Sequence, residues 1–180
     1  MNIPALPQPV TCFAISNRTL SANIHAMEIR TATEDHTEQF AVLVNLAFRV
    51  ERFFVYGDRI NSAQVKTMFQ TGTFLLAETS GQLAGAIYLE LRGDRAYFGL
   101  LSVDPSQQRQ GMGRALINEA ERRARMAGCE FMDILIVNLR TELTPVYEKM
   151  GYINSGAAPF PVKVPTKIPC HFLRMSKDLR

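Results

Sequence analysis

The sequence predicts an α+β domain built on a mixed, mostly antiparallel central sheet with helices on both faces. Three observations carry that prediction. Three strand-like runs between residues 73 and 103 are joined by breaks of only a few residues, and turns that short force antiparallel neighbours. A helical segment at about 111–127 stands between a strand that ends near Val103 and another at 131–137, an order that implies a right-handed crossover and parallel neighbours. A late alternating run, CHFLRMS at 170–176, supplies a further sheet strand.

In chain order, residues 26–31 alternate enough to form a first strand. From Thr33 to about Val50 the period changes, with Phe40, Val44, Leu46 and Phe48 among polar residues, and the segment reads as a helix that Thr33 or Asp35 can cap. A second helical piece spans Asn61 to Phe69, with Val65, Met68 and Phe69 on one face. Its neighbours Phe53, Phe54 and Tyr56 read either as core or as a substrate wall. The meander follows as TFLLAE (73–78), LAGAIYLEL (83–91) and AYFGLLSV (96–103), with turns at SGQ and RGDR. Gly85 and Gly99 lie inside strands, where glycine weakens pairing unless a bulge or a close approach requires it. The helix at 111–127 carries Leu116, Ala120, Ala124 and Ala127 as a narrow apolar stripe, with Gly128 as its C-terminal stop. FMDILIV (131–137) is a strand, Glu142–Met150 a short helix stopped by Gly151, and YINS a strand.

Composition limits the function classes. At 180 residues, with 47% hydrophobic and 21% charged content, the chain reads as one soluble globular domain. No apolar run approaches the roughly 18 residues of a membrane span. Residues 1–26 lack the basic start and apolar centre of a secretory signal and read as a flexible leader, leaving 27–180 as the domain. Cys12, Cys129 and Cys170 are scattered and odd in number, which fits a reducing, cytoplasmic setting. The three histidines share no metal-ligand spacing with cysteines or carboxylates, so no metal site is expected. A net charge of +3 is far from the clustered basic footprint of a nucleic-acid binder. The ERRAR run at 121–125 reads as a solvated helix face.

The chemistry concentrates in VDPSQQRQGMGRA, residues 103–115. A helix beginning at Gly111 leaves its first amides without intrahelical partners, and Gly111 and Gly113 remove side chains that would block approach. With the helix dipole this can hold a phosphate, although a glycine-tolerant turn with no ligand has the same sequence. A P-loop would need Gly-Lys-Ser or Gly-Lys-Thr where the chain has GMGRA, and a dinucleotide fingerprint would need glycine at Leu116.

The run from Val103 through Gln108, Gly111 and Gly113, followed by Asn138 and by VYEKMGY at 146–152, resembles the acyl-CoA signature of the GNAT superfamily of N-acetyltransferases. Element order from about Met27 to Ser176 is similar as well. The resemblance implies an acyl-CoA N-acyltransferase-like sheet, split at a V-shaped cofactor slot between the strands ending at Val103 and starting at Phe131. It implies acetyl-CoA as acyl donor, its pyrophosphate held by Gln108, Arg109, Gln110, Gly111, Met112, Gly113 and Arg114. Its pantetheine arm would pair with the backbone of Leu101 and Val103. The Val103 amide would polarise the thioester carbonyl and Tyr147 would donate to the departing sulfur. Asn138 would hold the cofactor arm or simply cap its strand. Related enzymes often carry a glutamate base six residues before the valine; here that position is Tyr97, and Glu90 and Asp133 are the nearest carboxylates by strand order. The implied reaction is direct acetyl transfer to a primary amine in a ternary complex, the acceptor being a small-molecule amine, an amino acid or a peptide N-terminus. A homodimer is compatible with this reading. The alternative, favoured only by Tyr97, is a GNAT-like CoA-binding or interaction protein that has lost turnover.

Overall fold

The computed structural model describes residues 27–180. The leader assigned to residues 1–26, with Cys12, lies outside the described residues. Seven strands and four α-helices follow in the order β1 (Glu28–Thr31), α1 (Thr37–Ala47), α2 (Ser62–Phe69), β2 (Thr73–Thr79), β3 (Gln82–Arg92), β4 (Arg95–Val103), α3 (Met112–Met126), β5 (Phe131–Val137), α4 (Thr144–Glu148), β6 (Ile153–Pro159) and β7 (His171–Asp178). The strands form one sheet in the order β1-β2-β3-β4-β5-β7-β6, in which only the β4–β5 pair is parallel. This is the mixed, mostly antiparallel architecture expected.

Both faces of the sheet are covered, and β2 shows why its sequence is almost continuously apolar. Leu75 and Ala77 pack with Leu116, Ile117 and Ala120 of α3, whereas Phe74 and Leu76 on the opposite face pack with Phe40, Val44 and Val65 of α1 and α2. A strand buried on both sides has no polar alternation to display. Three-ten turns at Glu34–His36 and Phe48–Glu51 flank α1, so the single helix expected over 33–50 is one α-helix between two tighter turns.

α3 ends in a Schellman motif. Gly128, at φ +85°, puts the Cys129 amide on the Ala124 carbonyl and its own amide on that of Arg125. Ala127 therefore lies past the last turn and is exposed, while Ile117 and Glu121 join the buried face. Glu121 corrects the reading of ERRAR as wholly solvated. It is 3% exposed, accepts from the Tyr152 hydroxyl at 2.8 Å and pairs with Lys177 of β7 at 2.7 Å. The other charges of that run behave as expected, Arg122 pairing with Glu119 at the surface.

Gly85 is explained by close approach, since a Cβ there would stand 2.8 Å from the Met112 sulfur. Gly99 opens a bulge in which Leu100 and Leu101 stand opposite Ile87 alone, with Leu100 at φ +49°. The bulge reverses the alternation of β4. Ala96 and Phe98 face α3 before it, and Leu101 and Val103 face α3 after it. Of the aromatics at 53–56, Phe54 is core, whereas Phe53 and Tyr56 are exposed. The proline-rich 156–169 segment divides. Its start continues β6, and its remainder is fastened to the chain after α1 by a Val55–Thr166 bridge and by the Lys167 amide on the Phe54 carbonyl.

Among the described residues no helix is long and apolar enough to cross a membrane, and no three His, Cys, Asp or Glu side chains converge as a metal site would require.

Candidate active site

The parallel pairing of β4 with β5 stops after three rungs, at Tyr97 opposite Asp133. Beyond it β5 pairs only with β7, and β4 only with β3, so the two strands part and leave facing edges open. A cavity of about 550 Å³ fills the gap. Its walls are Phe98–Leu101 and Val103 of β4 and Ile134–Val137 of β5. Because the gap passes through the sheet, elements from both faces reach it: the loop that starts α3 and Tyr147 of α4 from one, Phe48, Glu51 and Arg59 after α1 from the other.

The loop before α3 is shaped by local bonds. Asp104 accepts the Ser106 amide at 2.8 Å, and a single turn over Pro105–Gln107 follows. Arg109 and Gly111 then take positive φ, +64° and +83°, on either side of Gln110, and left-handed residues alternating with ordinary ones are the backbone pattern of an anion-binding turn. Only at Gly111 is glycine demanded by conformation. Gly113 lies where a Cβ would make ordinary contact with Val103 and Leu101, at 3.8 and 3.9 Å, so alanine fits there. Gln108, Arg109, Gly111, Met112 and Gly113 line the cavity; Gln110 and Arg114 do not, and the Met112 side chain turns down into the core beneath the loop.

On β4, the Asp104 amide donates to the Ala84 carbonyl of β3 at 2.8 Å. Strand alternation then aims the Val103 amide and carbonyl at the opposite edge, into the gap. The Val103 carbonyl there accepts Gln108 Nε2 at 3.2 Å, so of its two backbone groups the amide is the one left for a ligand. Asn138 lies at the end of β5 but outside the cavity lining. Its Oδ1 accepts the His171 amide at 2.9 Å, and its own amide donates to the His171 carbonyl, which is the strand-capping arrangement.

Tyr147 lies in the cavity wall with its ring packed against Phe98 and Tyr152, at centroid distances of 6.2 and 5.8 Å. Gly151, at φ +92°, closes α4 behind it and fixes the turn that carries the ring. Its hydroxyl makes no hydrogen bond among the described residues. Burial pushes the phenol up to about 12, so it stays protonated throughout the neutral range.

The carboxylates expected from strand order are engaged elsewhere. Glu90 is paired with Arg92, and Asp133 with Arg95, whose guanidinium also donates to the Ser176 hydroxyl; neither carboxylate lines the cavity, and although burial opposes them these partners hold both carboxyls below the usual range. The carboxylate that does line it is Glu51, in the turn after α1, a residue that the sequence pattern did not single out. Its Oε1 accepts from Arg140 Nη1 at 3.4 Å and its Oε2 is buried with no partner among the described residues. Burial raises this carboxyl, and the charges of Arg59 and Arg140 only partly offset that effect. Tyr97 also lines the cavity, its phenol over Gly99, where an added Cβ would meet it at 2.5 Å.

A sheet that splits beside a left-handed loop at a helix start defines the class of acyl-CoA N-acyltransferase folds. The Acetyltransferase (GNAT) domain family matches residues 29–163, and the chain belongs to that family. It is 26% identical over 126 residues to "Acetyltransferase SG1711" of Sodalis glossinidius (strain morsitans), covering 70% of this chain and 87% of that protein. Among solved structures it resembles yncA of Salmonella typhimurium, solved with its cofactor acetyl-CoA, at TM-score 0.67 and 19% identity over 86% of this chain and 95% of that one. It also resembles the ribosomal-protein-S18-alanine N-acetyltransferase of Escherichia coli, at TM-score 0.65 and 15% identity over 86% and 94% of the two chains.

Proposed function

We propose that the protein transfers an acetyl group from acetyl-CoA to a primary amine by direct attack within a ternary complex. The observation that carries this reading is the parting of β4 from β5 beyond Tyr97, which exposes the Val103 amide and the Tyr147 hydroxyl to one cavity. Acetyl-CoA supplies an activated thioester; the residues supply orientation, charge and protons.

The amides from Gln108 to Gly113 form the anion end of the cleft, suited to the pyrophosphate. The edge of β4 at Leu101 and Val103 offers strand-like pairing to an extended amide-bearing arm. The Val103 amide, donating in a water-poor cleft, stabilises negative charge developing on a carbonyl oxygen. Tyr147 serves the leaving sulfur by hydrogen-bond donation. A phenol near 12 holds its proton more firmly than an ordinary thiol near 8.5, so it stabilises a thiolate without being stripped by it.

A covalent acyl-cysteine route has no support among the described residues. Cys129 is buried with its thiol on the Gly93 and Arg95 carbonyls, Cys170 is outside the cavity lining, and burial raises both thiols. Initial rates measured while acetyl-CoA and acceptor are varied together should give intersecting double-reciprocal lines. Parallel lines would instead mean a covalent intermediate and would overturn direct transfer.

A further inference from the structure

The acceptor side of the cleft has an unusual charge balance. Glu51, Arg59 and Arg140 line it together, one buried carboxylate against two guanidinium groups. Arg140 is committed, with Nε on Glu142 and Nη1 on Glu51. Arg59 is not. Its guanidinium lies over the Phe48 ring at 5.3 Å; among the described residues its buried Nε has no partner and no carboxylate stands within ion-pairing distance. A buried guanidinium nitrogen with no acceptor costs free energy unless a ligand supplies one.

Resting on the acetyltransferase reading above, we propose that the acceptor is an amine carrying a carboxylate, of the amino-acid class, whose carboxylate is held by Arg59 and whose ammonium gives its proton to Glu51. A simple amine would enter as a cation into a region with two cations and one acid. An amino acid brings the missing anion with it. A peptide N-terminus, whose α-carboxyl is consumed in an amide, does not.

Glu51 is suited to the proton because it lines the cavity, its buried Oε2 has no partner among the described residues, and its environment disfavours its charged form. The charged or titratable groups that act on it or feel it are Arg59 from the segment before α2, Arg140 and Glu142 from the segment before α4, and Cys170 at the start of β7. One proton passes from the ammonium to Glu51 before attack. The second leaves the nitrogen as the C–N bond forms and the C–S bond breaks, and it neutralises the thiolate, giving amide and free thiol. The position six residues before Val103, filled by Tyr97, needs no acid if Glu51 serves from the other wall.

The test is CoA-thiol release from acetyl-CoA with a panel of L-amino acids and, in parallel, their carboxamides. The preferred amino acid should exceed its carboxamide at least tenfold in kcat/KM. Arg59→Gln should abolish that preference and Arg59→Lys should keep part of it, with the KM for acetyl-CoA unchanged in both. Glu51→Gln should lower kcat/KM about a hundredfold or more and remove the fall in kcat/KM on the acidic side of the pH profile, a readout that a purely structural role would not move. Equal use of carboxamides, or a preference that survives Arg59→Gln, would overturn the proposal. Calorimetric titration of the CoA-saturated protein with the same amino acids separates this from failure of the enzyme reading. Binding that Arg59→Gln abolishes would uphold the carboxylate site even without turnover, and absence of binding would overturn it.

Discussion

Replacing Tyr147 with phenylalanine should lower kcat by about a hundred- to a thousandfold while leaving acetyl-CoA affinity within about twofold, the range expected when a positioned hydrogen-bond donor to developing charge is removed. The separation of the two effects follows from where the hydroxyl lies. The ring is held by Phe98 and Tyr152, which a phenylalanine ring satisfies equally, and the hydroxyl has no protein partner among the described residues to lose. The fold should therefore change by less than about 1 kcal/mol. The phenol, pushed up to about 12, should contribute no basic limb to the rate profile below about pH 11, because the donor is fully protonated across that range. A variant that loses cofactor affinity and turnover together would assign Tyr147 to packing of the slot instead.

The second large effect is on stability. Lys177 donates to both oxygens of Glu121, at 2.9 and 2.7 Å, and this pair ties α3 to β7 beneath Tyr152. Lys177→Met keeps the aliphatic stem and removes the charge, leaving a buried carboxylate with, among the described residues, only the Tyr152 hydroxyl and a distant Arg125 contact at 3.4 Å. Breaking a buried pair from one side costs about 3 kcal/mol or more, so the denaturation midpoint of a domain this size should drop by about 6–12 °C. Adding Glu121→Gln to Lys177→Met should recover most of the loss, since a neutral amide still accepts from Tyr152 and no charge remains stranded. Losses that simply add would show that the two residues act independently.

What the sequence made legible were features written in consecutive residues. The turns at Gly81 and Gly93, the caps at Gly128 and Gly151, and the glycine loop before α3 all sit where local chemistry placed them. The bulge at Leu100 was half visible, because Gly99 is out of place in a strand, but the residue that takes the left-handed conformation is its neighbour. Nothing in ERRAR distinguishes the one charge that turns inward. Glu121 is buried because Tyr152 and Lys177, far along the chain, arrive to meet it. Glu51 was hidden for the same reason. Its surroundings, Arg59 and Arg140, are brought together from segments before α2 and before α4, whereas Glu90 and Asp133 looked suitable by strand order but are engaged by close arginines outside the cavity. Strand order places backbone; it does not say which carboxylates are already neutralised.

In the proposed reaction the gap between β4 and β5 receives acetyl-CoA, with the loop ahead of α3 at its anion end. Calorimetric titration of the purified 180-residue chain with acetyl-CoA, and separately with CoA, tests this assignment. Saturable one-to-one binding of both is expected, because the anion loop and the β4 edge would recognise parts that the two ligands share. Absence of binding to either would contradict it, leaving the family's fold without its cofactor.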